Sequence, residues 1–468
     1  MTAPLLPSGT CKLPSKLTTT TSFKMKYYKT IPMLLSGLAV LACGGTALGQ
    51  SSDALIDKLV QKGILSVKEA NDLRDDTDKD FSKAYSAKNG MSDWVRSFKI
   101  NGDFRGRADD LATDNLAGYD RLRFRYRLRV GMVASMADDF EVGLRLGSGD
   151  PSSVANSGGN PLSGNSTMQS DGSKKFLYID TAYAKWTPIH TGDLTLGGTI
   201  GKMENPLETT GMVFDPDYTP EGVAMQSAYN LTDKHTLRFN GGWFVLNELT
   251  ASSKDPGMGA AQLLWDAKWT PKISTTAGMG ILGINHKESL GSSVANLPNQ
   301  NTGNTRNVTG NLVNNYNPVV ADASVTYKLA SFPFYTGEFP IKLAGEFIDN
   351  PCVDKKNTGY WAGVTFGKAG TKHNWDVTYR YEELQSDAWW EEVVDDDNVG
   401  YYQTQLNSDA KTGYVAGTGI RGHMVKANYS FTQGVSKGFT AFVNERIDAP
   451  SGQLGDARHF MVDLSFKF

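Results

Sequence analysis

One stretch of the chain places an arginine at every second position: Arg121-Leu122-Arg123-Phe124-Arg125-Tyr126-Arg127-Leu128-Arg129-Val130. On a helix, residues two apart point away from each other, so this spacing would scatter the charges round the axis. On a strand, alternate residues face opposite sides, so five guanidiniums share one face and the apolar residues share the other. Arg121 to Arg129 spans about 26 Å at ~3.3 Å per residue, close to the ~25 Å apolar band of a transmembrane barrel. An arginine facing lipid at mid-bilayer costs roughly 2–4 kcal/mol. In a membrane these five side chains must therefore face water inside a barrel. For this stretch alone, a soluble sheet with one solvated face fits equally well.

The neighbouring segments repeat the alternation. Ile100, Gly102, Phe104 and Gly106 oppose Asn101, Asp103, Arg105 and Arg107, while Phe140, Val142, Leu144 and Leu146 oppose Glu141 and Arg145. From Trp94 onward, period-two patterning predicts sixteen strands, at about 96–108, 119–136, 139–149, 175–188, 192–203, 219–230, 234–248, 259–271, 273–285, 317–330, 339–349, 358–368, 372–386, 413–431, 436–447 and 458–468. Residues 175–188 are ambiguous, because Leu177/Ile179/Tyr183 and Ala182/Ala184/Trp186 lie on opposite parities, and a bulge would reconcile them. Connections alternate in length: Ala137–Asp139, Ile189–Gly192, Leu231–Lys234, Pro271–Lys272, Ala369–Thr371 and Thr432–Val435 are tight, whereas 150–174, 286–316 and 387–412 are long. Only Ser331–Glu338 is longer than its place in this alternation predicts. An outer-membrane barrel sorts its loops in this way, with short periplasmic turns and long outer loops. Trp186, Tyr229, Trp269, Trp375 and Phe431 stand beside the short turns, where an aromatic girdle belongs.

Composition agrees. Mean hydropathy is −0.36, and outside the leader no apolar run reaches the ~18 residues of a helical span. Three cysteines exclude a disulfide-stapled scaffold. The first 49 residues hold Lys12, Lys16, Lys24, Lys26 and Lys29 and no acid. Met25–Gln50 reads as a secretory signal, with Lys26 and Lys29, an apolar stretch Ile31–Ala42 and a small-residue cleavage site at Ala47-Leu48-Gly49. Translation is expected to start at Met25. Val40-Leu41-Ala42-Cys43 is a poorer, lipoprotein-type alternative. Without residues 1–49 the chain has 42 basic and 50 acidic side chains, a net charge of −8 that argues against a nucleic-acid partner. Its one remaining cysteine is Cys352, read as a lone loop thiol. Within 50–93, Leu55, Ile56, Leu59 and Val60 have helical spacing, and Ser66-Val67-Lys68-Glu69 is a capping box. The expected organisation is a leader (1–49), a short periplasmic α-helical segment (50–93, with helices over 53–88), and an all-β, antiparallel up-and-down transmembrane barrel (94–468).

The chain ends Phe460-Met461-Val462-Asp463-Leu464-Ser465-Phe466-Lys467-Phe468. Alternation up to a terminal Phe is similar to the assembly signal of bacterial outer-membrane barrels, carried here by Phe466 and Phe468 and read by the barrel-assembly machinery. Three further stretches resemble the bacterial "putative porin" family. They are Ala54–Leu73, Asp120–Pro151 with its Val142–Asp150 segment, and Gly201–Ala224 with Gly201-Lys202-Met203-Glu204-Asn205-Pro206 and Asp215-Pro216-Asp217-Tyr218-Thr219-Pro220-Glu221-Gly222. The resemblance implies a water-filled channel in the outer membrane of a diderm bacterium, surrounded by lipid and passing small hydrophilic solutes and ions by diffusion. Analogy with general porins implies a homotrimer. In those porins the third outer loop narrows the barrel. Here that loop is Met203–Tyr218, with Glu204, Glu208, Asp215 and Asp217 expected to face a basic wall of Arg105, Arg107, Arg121, Arg123, Arg125, Arg127, Arg129 and Arg145. Charge rings of this kind tune ion selectivity, and the balance is expected to be weak and towards anions.

No enzyme signature emerges, and no cofactor or metal is expected. Gly278–Gly283 and Gly417–Gly422 match G-x-G-x-x-G without the following helix that a dinucleotide site needs. The run Glu391–Asn398 lacks calcium-loop spacing and reads as a solvated outer loop. Six scattered histidines show no metal-type pairing. The alternatives are an anion- or phosphate-selective porin and, from other classes, an outer-membrane hydrolase or a structural or adhesin barrel.

Overall fold

The computed structural model describes residues 92, 94–113, 120–151, 158–250, 252–291, 302–399, 401–403, 413–415, 417–447 and 456–468. The chain divides into two units, Met1–Lys83 and Ala84–Phe468, and every described residue belongs to the second. The expected leader, its cleavage site and the helices of 53–88 lie outside the described residues.

The strands are β1 (Val95–Thr113), β2 (Arg121–Met136), β3 (Phe140–Gly149), β4 (Phe176–His190), β5 (Leu194–Lys202), β6 (Glu221–Thr232), β7 (His235–Val245), β8 (Gly257–Lys268), β9 (Ile273–Ile284), β10 (Val319–Leu329), β11 (Phe339–Asp349), β12 (Thr358–Gly367), β13 (Trp375–Leu384), β14 (Ile420–Ser430), β15 (Val435–Arg446) and β16 (Asp456–Lys467). The seventeen-stranded sheet also includes the two-residue strand Ser166–Thr167; the other sixteen strands pair antiparallel with their sequence neighbours. β1 pairs with β16 from Asp103↔Lys467 to Thr113↔Ala457, which closes the sheet into a barrel and leaves no free edge. Phe468 completes the seam, exchanging backbone hydrogen bonds with Gly102 at 2.9 and 3.0 Å. A Cβ on Gly102 would lie 2.5 Å from both the Arg129 carbonyl oxygen and the Phe468 ring, so this close approach requires glycine.

The alternation sets the two faces. Leu122 (64% exposed), Phe124, Val142, Leu263, Met279 and Leu343 lie on the outer surface, while Arg107 and Arg125 on the opposite parity are buried at 6% and 7% exposure. At the ambiguous strand β4 the structure shows a bulge. The pairing passes from Arg145↔Thr181 to Leu146↔Ile179, which leaves Asp180 as the extra residue. Leu177 and Ile179 are therefore exposed before the bulge, and Ala182, Ala184 and Trp186 after it. Trp186 stacks on Phe140 at 5.4 Å beside the turn Ala137–Asp139, where Asp138 and Asp139 take left-handed backbone angles. The long turn between β10 and β11 is filled by Phe332, Tyr335, Phe339 and Trp375, packed ring against ring. One expected strand is shorter than the pattern suggested. β14 starts at Ile420, and residues 413–415 instead pair with Tyr401–Gln403 in a separate hairpin.

Candidate functional site: an arginine wall and two inward loops

β1 and β2 set their inner charges directly opposite one another, with Asp103↔Arg129, Arg105↔Arg127, Arg107↔Arg125 and Asp109↔Arg123 in register. Two of these are like-charge pairs, an unfavourable arrangement unless counter-charges intervene. Asp109 receives Arg123 at 2.7 and 2.9 Å and the more distant Arg125 at 3.5 Å. Asp103 receives Arg127 at 3.0 Å and Arg129 at 2.8 Å. Arg107 is gripped on both sides, with Asp463 of β16 at 2.7 and 2.9 Å and Asp397 at 2.9 and 2.7 Å. Arg145 of β3 bonds Asp180 and Glu204, and Arg105 donates to Asn165 at 2.8 Å. Arg121 stands exposed at the outer end of β2.

The loop between β5 and β6 crosses the interior. Asp217 accepts Arg127 of β2 at 2.8 Å, while the Thr210 amide donates to Glu346 of β11 at 3.2 Å. These strands lie seven apart the shorter way round a sixteen-stranded ring, close to diametrically opposite, so a loop touching both spans the barrel. In between, the Glu208 amide and carbonyl bond the Gln262 side chain of β8 at 2.9 and 2.8 Å. The four acids of this loop separate. Asp217 meets the ladder and Glu204 meets Arg145, but Glu208 pairs with Arg238 of β7. Asp215 is buried among other carboxylates, its oxygens taking the amides of Asp217 at 2.6 Å and Asp396 at 2.9 Å.

A second inward segment went unread in the sequence. The run Glu391–Asn398 is packed inside the barrel rather than solvated outside it: Glu391, Glu392, Val393 and Val394 are all buried. The charges at its two ends meet built partners, while Asp395 and Asp396 lie against Asp215. Glu391 receives Arg306 at 2.5 Å and the Asn304 amide at 2.7 Å, and Asp397 receives Arg107. Asn398 donates to Glu382 at 2.9 Å. The two loops join along a seam. Asp215 N donates to Val393 O at 2.7 Å, Asp395 N to Gly211 O at 2.9 Å, and Trp389 Nε1 to Val213 O at 2.8 Å. A Cβ on Gly211 would sit 2.7 Å from an Asp395 carboxylate oxygen, so glycine is what lets the loops approach. Beneath the seam, Met203, Leu207, Met212, Val213 and Phe214 pack against Trp389, Trp390, Val393, Val394 and wall residues Phe244, Leu282 and Ile348. Phe214 meets Trp389 edge-on at 5.8 Å. The signal that could have revealed this loop is Trp389-Trp390 and Val393-Val394 flanking the acids, because apolar pairs of that size seek cover.

At the seam, Asp215, Asp395 and Asp396 bring carboxylate oxygens within 4.8 Å of one another. Burial and the neighbouring Asp397 charge push Asp395 up to about 6. Burial and the adjacent carboxylates push Asp215 and Asp396 well above the ordinary range. Burial would also raise Asp397, but the Arg107 guanidinium outweighs it and holds Asp397 below that range.

Residues 113–282 match the family model described as "Putative porin". No curated protein matches the chain. Among solved structures, an engineered variant of the Rh. blastica porin is 9% identical, covering 80% of this chain and 100% of its own, with a TM-score of 0.39. A triple mutant of the Rhodopseudomonas blastica porin is 11% identical with the same coverages and a TM-score of 0.40. A loop-deletion mutant of OmpT, an outer membrane protein of Vibrio cholerae, is 11% identical, covering 80% of this chain and 99% of its own, with a TM-score of 0.40. What identifies the barrel is the family match over 113–282 together with this chain's own strand register. A closed sixteen-stranded antiparallel barrel with an apolar outer face and a charged interior, whose residues 113–282 match the "Putative porin" family model across β2 to β9, is an outer-membrane porin channel.

Proposed function

We propose that the barrel is a passive pore for small hydrophilic solutes, narrowed from two sides by Met203–Tyr218 and by residues 385–399, with Arg105, Arg107, Arg121, Arg123, Arg125, Arg127, Arg129 and Arg145 lining the passage. The observation that carries this reading is the crossing of the interior by one loop bonded to both β2 and β11. Arg123–Arg129 are compensated by Asp103, Asp109 and Asp217, and Arg107 by Asp397 and Asp463, so the wall acts as a polarised surface more than as a net positive one. Further parts of the reading come from the sequence. Residues 50–93 stand in the periplasm after the leader is removed, Phe466 and Phe468 are read by the assembly machinery, and three barrels associate, as general porins do. Planar-bilayer recording of the purified protein in KCl tests the pore. Discrete conductance steps are expected, and truncation of either loop tip should enlarge them. Steps of unchanged size after both truncations would remove the two loops from the constriction.

A further inference from the structure

Above the constriction lies a cavity of about 720 Å³. It is enclosed by the outer end of β3, residues 158–164, the ends of β5 and β7, and the tips of both inward loops. Ligand cavities typically measure roughly 300–1,000 Å³, so this one is sized for a small solute. Its charged lining is uneven. Asp180, Asp217, Glu221, Glu248 and Glu392 contribute carboxylates, against the cations of Arg129 and Lys202. Both cations are already engaged, Arg129 with Asp103 and Asp217, Lys202 with the Thr219 carbonyl at 2.8 Å and Glu221 at 3.3 Å, and Asp180 and Asp217 are held by Arg145 and Arg127, which leaves the excess charge on Glu221 and Glu248. Glu221 and Glu248 are exposed, and Glu248 makes no ion pair with any described residue. Three aromatic residues, Tyr178, Tyr218 and Trp390, complete the wall. Burial and the nearby Glu221 charge raise the Tyr218 phenol, so it stays neutral at any physiological pH.

Carboxylates at the rim and electron-rich rings in the wall are the chemistry that holds an organic ammonium: Coulomb attraction draws it in, and the ring quadrupole attracts it at short range. We propose that this vestibule is a binding site for small organic cations, alkylammonium ions or diamines, that pass through the pore. The proposal rests on the channel reading and reverses the sign of selectivity expected from the arginine ladder alone, because those arginines are spent on internal carboxylates.

The test uses 1,4-diaminobutane as the probe and 1,4-butanediol as its neutral counterpart. Added on the loop side of a bilayer, the diamine is expected to reduce potassium current through the wild-type channel while the diol leaves it unchanged. A unit charge ~10 Å from a permeating ion in water alters its occupancy about twofold, so the E221Q/E248Q variant should weaken block about fourfold. Raising KCl to about 1 M, where the Debye length is near 3 Å, should weaken it as well. Titration calorimetry of the diamine into detergent-solubilised protein reads binding without conduction, so a silent channel would refute the pore while binding still decides the site. Diamine block equal in wild type and E221Q/E248Q, block by the diol, or absence of diamine binding in calorimetry would each overturn the proposal.

Discussion

Asp397 holds the second inward loop to the barrel wall, and removing its charge should let that loop lift. In Asp397→Asn the Arg107 guanidinium keeps its bidentate partner Asp463. The penalty of roughly 3–5 kcal/mol for stranding a buried charge therefore does not apply in full. What is lost is the charge on an acceptor of two short bonds, at 2.9 and 2.7 Å. Bonds to charged groups contribute about 1.5–3 kcal/mol, and the Asn carbonyl can still accept one of them, so a net loss near 2 kcal/mol is expected. At 1.36 kcal/mol per decade, that is about a 30-fold rise in the time the loop spends undocked. The seam bonds to Val213 and Gly211 remain, so the loop should flicker rather than leave. Single-channel recording at neutral pH should show frequent visits to a wider state. Resistance of the barrel to SDS on heating should match wild type, because Asp397 lies outside every strand. Conductance and noise indistinguishable from wild type would refute the anchoring role.

Further outcomes follow from the same geometry. The stabilisation from Asp397, whose value is depressed, is complete above its unfolded value near 3.8 and is lost as pH falls below it. Asp395 is raised from 3.8 to about 6, so stability is lost as pH climbs from the lower value to the higher, and Asp215 and Asp396 act in the same direction. The seam should therefore be tightest near pH 4 and loosen as pH rises to about 6, and channel noise recorded across pH 3–8 should be lowest near pH 4. Replacing Arg123, Arg125 and Arg127 by Gln takes both arginines from Asp109 and leaves Asp103 with Arg129 alone, and at about twofold per charge should move reversal potential towards cations by up to ~8-fold in permeability ratio. Neutralising the exposed Glu204 and Glu208 should move reversal potential the other way. Phe214→Ala empties the joint beneath the seam at a cost of about 3–5 kcal/mol, and limited proteolysis should then cut within 203–220 in assembled barrels that resist cutting as wild type.

Much of this molecule is written in local periodicity. Strand alternation is a property of neighbours in the chain, so the barrel, the parity of its loops and the common face of Arg121–Arg129 could all be read without coordinates. The bulge at Asp180 could be suspected from the parity conflict but placed only by the register of β3 against β4. What tertiary structure alone decided is where the long loops go and what their charges meet. Arg107 and Asp397 are 290 residues apart, and Thr210 and Glu346 are 136 apart; no local pattern carries such pairings. A run such as Glu391–Asn398 reads as solvated because buried carboxylates are expensive alone. It becomes an interior element only once Arg107, Arg306 and the backbone amides of Thr302 and Asn304 are brought round it by the closure of the barrel.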